Sequence, residues 1–256
     1  MGGMSPDKPV VAEIVFKDGS VLQEVLKATS SVTEEAPLKL TPDGISIRAL
    51  DLSEVSMVDI AIPTHVAAEF RVEKAESLSI KSDDFLEFYK GHIEEQTRLT
   101  FEPGRLVVYI GGEEGTRFEV PIFQPESKEL PLPKISYKTT FKTDLKFLRD
   151  VIDKGKAMTD RVEIKIEDNS VKLVVASETK SYSRTLREQT GSLRDASLEE
   201  NVSAKYDLKK LYQIISSFQP QGDVTLFFGK DLPLKISAEL RDGIQINYYL
   251  ASMIEA

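Results

Sequence analysis

Asp207-Leu208-Lys209-Lys210-Leu211-Tyr212-Gln213-Ile214-Ile215-Ser216-Ser217-Phe218 sets Leu208, Leu211, Tyr212, Ile215 and Phe218 three or four residues apart. That spacing puts one apolar stripe on a helix, and Asp207 is placed to cap its first turn. The pattern has a double: Asp83 to Ile93 groups Phe85, Leu86, Tyr89 and Ile93, with its start 124 residues earlier. A second pair follows the same rule. Ser20 to Val32 carries Val21, Leu22, Val25, Leu26 and Val32, and Thr143 to Lys154 carries Leu145, Leu148, Val151 and Ile152, with starts 123 residues apart. Thr143 reads as the N-cap of that helix. Strand-like runs keep the offset too, at 124 residues from Leu38 to Val162 and 125 from Leu99 to Val224. Four features in one order at one spacing predict a duplicated unit of roughly 120 residues, helix–strands–helix–strands. Each copy is expected to be α+β, with antiparallel sheets covered on one face by two helices.

Between the helices the period falls to two. Val162, Ile164 and Ile166 alternate with Glu163, Lys165 and Glu167, and Ile244, Ile246 and Tyr248 repeat the alternation. Pro42-Asp43-Gly44, Pro103-Gly104, Asp168-Asn169 and Asp242-Gly243 read as tight turns between strands. Four of the twelve prolines fall in residues 121–133, Pro121-Ile122-Phe123-Gln124-Pro125-Glu126-Ser127-Lys128-Glu129-Leu130-Pro131-Leu132-Pro133. Proline fixes φ and removes a donor, so this stretch reads as an extended connector. Its apolar Phe123, Leu130 and Leu132 are expected to lie on a surface groove. The expected division is a first domain over 1–122, a connector over 123–135 and a second domain over 136–256.

The 256 residues hold 33 Lys and Arg against 42 Asp and Glu, a net charge of −9, with 41% hydrophobic and 29% charged residues. That is a globular balance, and it argues against a surface basic all over, as nucleic-acid coating would need. It leaves room for a basic face on an acidic body. The absence of cysteine removes disulfides, zinc–thiolate sites, thiol nucleophiles and iron–sulfur clusters. No apolar run reaches the ~20 residues that span a bilayer, and no signal peptide is visible. Met1-Gly2-Gly3 reads as an added leader before a start at Met4, and Pro6 stands where myristoylation wants Ser or Thr. A soluble cytosolic or nuclear protein is expected.

Chemistry finds little support. The acidic pairs Glu34-Glu35, Asp83-Asp84, Glu94-Glu95, Glu113-Glu114 and Glu199-Glu200 are what 42 carboxylates yield as solvated surface. His65 follows Ile62-Pro63-Thr64 at a strand exit and His92 ends a helix, and neither has a nucleophile or ligand set at a recognisable spacing. Gly111-Gly112-Glu113-Glu114-Gly115 carries carboxylates where a phosphate cradle wants amides and Lys, and reads as a hairpin turn. No catalytic residue, metal or cofactor is assigned.

Gly44-Ile45-Ser46-Ile47-Arg48-Ala49-Leu50-Asp51-Leu52-Ser53-Glu54-Val55-Ser56-Met57 resembles the signature of PCNA-type DNA sliding clamps. Gly19-Ser20-Val21-Leu22 resembles the opening of that family's first helix. Asp231-Leu232-Pro233-Leu234 and Tyr248-Tyr249-Leu250-Ala251 resemble its last strands and C-terminal exit, and the proline-rich stretch falls at its interdomain connector. The resemblance covers the chain after residue 9. It implies the clamp fold: two similar domains per subunit, three subunits per ring, helices lining a hole that admits duplex DNA, and an archaeal-like source. It further implies a non-enzymatic processivity factor. Such a ring tethers DNA polymerase, ligase, flap endonuclease and other replication and repair proteins, and an ATP-driven loader opens it.

By the same resemblance, Leu50, Val55, Met57, Leu130, Leu132, Tyr137, Pro233, Ala251 and Ser252 form the partner-peptide pocket. Ala251-Ser252 departs from the family's Ala-Pro exit. Lys27, Lys142, Lys146, Arg149, Lys209 and Lys210 would face DNA, the helix from Thr143 and the last helix turning theirs away from the apolar stripe. Glu24, Asp84 and Glu87 leave the first domain's inner face near neutral or acidic. Gly115 to Val120 and Lys180 to Leu186 would be the subunit edges, with Arg117, Phe118, Tyr182 and Arg184 contributing. Two rival readings stand beside this one, a clamp-like subunit of a regulatory or checkpoint ring and a carboxylate-based hydrolase.

Overall fold

The structure, a computed structural model, describes residues 10–89, 94–112, 115–125, 130–199, 201–219 and 222–253. The chain divides into two compact units. The first holds residues up to Ala49, Ile60–Leu130 and Arg241–Ile244, and the second holds Leu50–Asp59, Pro131–Leu240 and residues from Gln245 onward.

The first unit contains strands β1 (Ala12–Phe16), β2 (Glu35–Thr41), β3 (Gly44–Leu50), β4 (Ser56–Pro63), β5 (Glu69–Val72), β6 (Glu76–Lys81), β7 (Thr97–Glu102), β8 (Arg105–Ile110) and β9 (Thr116–Pro121). The end of β3 and the first half of β4 fall in the Leu50–Asp59 segment of the second unit. Helices α1 (Ser20–Ser30) and α2 (Ser82–Tyr89) complete the unit. One sheet runs β5-β1-β7-β8-β9, and β4, β3, β2 and β6 neighbour one another in that order. Alternation sets the pleat: in β1 Ile14 is fully buried, opposite Phe70 on one side and Leu99 on the other. Helix α1 packs on α2 and β2, and α2 packs on β6 and β9. Val25, Leu40, Ile47, Ile60, Phe85 and Tyr89 fill the space enclosed.

The second unit repeats the element order, with β10 (Thr139–Asp144), α3 (Leu145–Gly155), β11 (Arg161–Glu167), β12 (Ser170–Ala176), β13 (Ser181–Leu186), β14 (Arg194–Ser197), β15 (Ser203–Asp207), α4 (Leu208–Ser217), β16 (Asp223–Phe228), β17 (Leu234–Glu239) and β18 (Gln245–Leu250). Its sheets run β14-β10-β16-β17-β18 and β13-β12-β11-β15. Every strand thus has a counterpart with the same neighbours within its own unit, as duplication requires. Helices α3 and α4 pack on each other, with α3 also against β12 and β13, and α4 against β11, β15 and β18.

The structure corrects several boundaries. Each copy opens on a strand, β1 or β10, rather than on its helix. Thr143 therefore lies within β10, its hydroxyl donating to Ser192 O at 2.8 Å, and Asp144, the last residue of β10, is the N-cap of α3, accepting from the Lys146 amide at 2.8 Å. Asp207 caps α4 as expected, through the Lys210 amide at 2.8 Å. Helix α1 stops at Ser30, where the Ser31 hydroxyl takes the Ala28 carbonyl, so Val32 lies beyond it. Helix α2 begins at Ser82 and runs to Tyr89, whereas His92 and Ile93 lie outside the described residues. The four turns fall between strands as read, with positive φ at Gly44, Gly104, Asp168, Asn169, Asp242 and Gly243. The Glu113-Glu114 pair and Glu200 lie outside the described residues.

Gly19, just before α1, is needed for space. Tyr89 is fully buried and shares a 2.6 Å hydrogen bond with Thr97 Oγ1, and burial pushes its pKa up to about 12. A Cβ at Gly19 would collide with the Tyr89 hydroxyl. Gly19→Ala is therefore expected to lower the unfolding free energy by about 1–3 kcal/mol. Adding Tyr89→Phe should recover part of that loss in denaturant titrations, since it removes the atom in the way.

Candidate functional site

The signature stretch forms β3, a turn and the start of β4, and the turn is built on a buried acid. Asp51 is 4% exposed. Its Oδ1 accepts from the amides of Val55 and Ser56 at 2.8 and 2.9 Å, and its Oδ2 accepts from Ser53 Oγ at 2.6 Å and Lys210 Nζ at 2.5 Å. Burial pushes the carboxyl up, but the bonds from Lys210, Ser53, Ser56 and Val55 outweigh it and bring the pKa down to about 2. The acid is thus held ionised by donors that occupy both oxygens. Glu54 takes a left-handed conformation, φ 56°, to close the turn.

Around this turn the predicted pocket residues divide. Leu50 and Val55 are half-buried, and Met57 is buried in β4. The Ala251 amide donates to Val55 O at 2.8 Å, tying the C-terminal exit to the turn. Pro233, Ala251 and Ser252 line one open cavity with Ala204, Lys205, Lys230 and Met253. The exit is tied to β15 beside this cavity: Ser252 forms an isolated bridge with Tyr206, and the Met253 amide donates to Lys205 O at 2.8 Å. Tyr137 is half-buried, donates to Pro233 O at 3.0 Å, and has its pKa raised by burial. Leu132 is 43% exposed. Leu130 belongs to the first unit, where its carbonyl accepts from the Arg48 guanidinium at 2.6 Å. Phe123 pairs with Ser79 by two backbone bonds, beside β6.

The cations divide as well. Lys27, Lys146 and Lys209 are exposed, although Lys146 pairs with its own cap Asp144 at 2.9 Å. Lys142 stands on β10 rather than on a helix, 3.7 Å from Asp223. Arg149 does not project freely: its guanidinium donates to the carbonyls of Phe218 and Gln219, at 2.9 and 3.1 Å, beyond the end of α4. Lys210 is spent on Asp51. The helical-wheel expectation that both turn outward is corrected, because each finds an acceptor on another element. Of the first-unit acids, Glu87 is exposed, and Glu24 and Asp84 are half-buried.

The two predicted edges are terminal strands, β9 in one sheet and β13 in another. Arg117 is exposed, paired with Glu119 and 5.7 Å above the Tyr109 ring. Phe118 points inward, 8% exposed, against Phe85 and Phe88. Tyr182 and Arg184 both bond Asp150 Oδ2 at 2.6 Å, and Arg184 lies 4.4 Å over the Phe147 ring. The Tyr182 hydroxyl first, then Arg184, draw the Asp150 pKa down against its burial.

Two residues went unnoticed in the sequence. Leu52 is fully exposed at the tip of the Asp51 turn, and Phe88 is 52% exposed while stacked on Phe118 at 5.4 Å. Each carried a signal: Leu52 is an apolar residue within a turn, and Phe88 is an aromatic off the apolar stripe of α2. No group of three or more His, Asp or Glu suited to a metal occurs among the described residues. None of the helices so described is long and apolar enough to cross a membrane.

Residues 11–97 match the family described as "Proliferating cell nuclear antigen, N-terminal domain". The chain is 27% identical over 248 residues to a protein of Thermofilum pendens named "DNA polymerase sliding clamp", covering 96% of this chain and 100% of that one. In fold it matches PCNA of Thermococcus kodakaraensis, with TM-score 0.87, 21% identity, and 94% and 100% of the two chains covered. It also matches the PCNA of A. fulgidus solved with the C-terminal region of FEN-1 bound, with TM-score 0.86, 19% identity, and 96% and 99% covered. Together with the duplicated unit and the signature turn, these matches support a PCNA-type sliding clamp.

Proposed function

We propose that the protein is a DNA sliding clamp, a ring-shaped processivity factor that encircles duplex DNA and tethers DNA polymerase, ligase, flap endonuclease and other replication and repair proteins. The observation that carries this reading is the match along nearly the whole length to a named clamp, 248 residues covering 100% of that relative. Clamp function rests on topology: a closed ring stays on DNA without gripping a sequence, so it slides. A weakly held partner then works at high effective concentration on the template. No chemistry is assigned to the chain itself. The expected setting is the cytoplasm of an archaeon.

In this reading residues 1–122 and 136–256 are the two clamp domains and 123–135 is the connector. The partner site comprises Leu50, Val55, Met57, Leu130, Leu132, Tyr137, Pro233, Ala251 and Ser252, and Leu52 joins it. An exposed leucine held on a rigid turn is suited to a peptide's apolar anchor. Sequence-independent contact with phosphates falls to Lys27, Lys146 and Lys209, the exposed members of the set. The terminal strands β9 and β13 are the subunit edges, where pairing with neighbouring subunits would cover open backbone groups.

Three outcomes follow. A peptide of the form Gln-x-x-aliphatic-x-x-aromatic-aromatic should bind, and Leu132→Glu or Leu50→Glu should weaken it at least ~30-fold in fluorescence titrations, since a charge enters an apolar contact. Unchanged affinity in both variants would place the pocket elsewhere. Reversing Lys27, Lys146 and Lys209 to Glu should cut loader-dependent stimulation of a DNA polymerase several-fold while leaving thermal unfolding within about 0.5 kcal/mol per site. Stimulation at the original level would remove these lysines from the DNA face. Light scattering on a sizing column should give three times the 28.6 kDa subunit mass. A mass of one subunit would direct the search to paralogous ring partners.

A further inference from the structure

The pocket turn is held from outside itself. Three of the four donors to Asp51 lie within the turn, at Ser53, Val55 and Ser56, and the fourth is Lys210 in the first turn of α4. The carboxylate is 4% exposed and ionised, and among the described residues Lys210 is the one cation paired with it. Removing that cation would leave a buried charge uncompensated, a costly state that the short turn relieves by moving. The Lys210 backbone is itself fixed by the Asp207 cap, so the ammonium is delivered from a rigid helix start. On its other side the turn is tied to the C-terminal exit through Val55 O and the Ala251 amide.

We infer that Lys210 is a positioning residue for partner binding: by holding Asp51 it fixes the turn that presents Leu52 outward and keeps Leu50 and Val55 half-covered beside Ala251. This rests on the reading of the turn as the partner site. It departs from the sequence expectation for Lys210. An ammonium committed to a buried carboxylate meets a phosphate only by abandoning that carboxylate, whereas exposed Lys209, its neighbour, carries no such commitment on its side chain. The helix thus offers one lysine outward and uses the next to shape the turn.

The test is fluorescence anisotropy of a fluorescein-labelled peptide carrying Gln-x-x-Leu-x-x-Phe-Phe on the full chain. Lys210→Met and Asp51→Asn should each weaken binding about tenfold, and the double variant should be no weaker than the worse single one, because both remove the same pair. Lys210→Arg, which keeps a cation at the carboxylate, should restore affinity to within about threefold of the original. Thermal melts identify variants that fail to fold, in which case Lys210→Arg and Asp51→Asn, the milder changes, decide the matter. Additive losses in the double variant overturn the inference. So does a Lys210→Met protein that binds peptide within about twofold of the original while Leu132→Glu abolishes binding. If Leu132→Glu and Leu50→Glu leave binding intact, the pocket reading itself fails and takes the inference with it.

Discussion

An ionised carboxylate buried in protein must be answered by donors, and Asp51 shows how much of the local chain path follows from that need. Its two oxygens draw in the amides of Val55 and Ser56, the hydroxyl of Ser53 and the ammonium of Lys210. Those bonds bend the chain sharply between β3 and β4 and push Leu52 into solvent. They also set the Val55 carbonyl where the Ala251 amide reaches it, so the last strand leaves the sheet beside the turn. The proposed partner site, made of short apolar surfaces, needs this rigidity, since a flexible turn would lose ordering entropy on every encounter.

Charge is used in the same economical way. With 33 basic against 42 acidic residues, the chain cannot be basic throughout, and several of its cations serve the fold. Arg149 satisfies carbonyls beyond the end of α4, Arg184 neutralises Asp150 over the Phe147 ring, and Lys210 answers Asp51. Of the predicted DNA-facing cations, those left exposed on the helices are a sparse set, Lys27, Lys146 and Lys209. Sparse exposed lysines suit loose contact with a phosphate backbone, where strong, numerous contacts would hold the protein in place rather than let it move.

The duplication, the helical segments and the four turns were legible in the chain because they are local. A stripe at three-and-four spacing, as in Leu208, Leu211 and Ile215, defines a helix wherever it is packed, and Gly104 or Asp168-Asn169 marks a reversal by its own backbone preference. The strand β10 was missed because it runs directly into α3, and Thr143 offered a cap one residue before the one used; only three residues separate β1 from α1. The pocket residues were named through the family's signature rather than from their own chemistry. Nothing local in Leu50 or Val55 separates a half-exposed contact from a core position.

By itself the sequence determined the α+β class, the two copies, the capped start of α4 at Asp207, the lack of thiol chemistry and the family signature around Asp51. Each of these is a matter of residue type and short-range spacing. Only the tertiary structure decided which cations remain outward, that Leu52 and Phe88 are among the apolar side chains left in solvent, and that Lys210 belongs to the turn rather than to an open helix face. The reason is separation: Lys210 lies 159 residues from Asp51, and Arg149 lies 69 from the Phe218 carbonyl. Periodicity reports the face of an element on which a side chain sits. The partner waiting on that face is set by how distant elements pack.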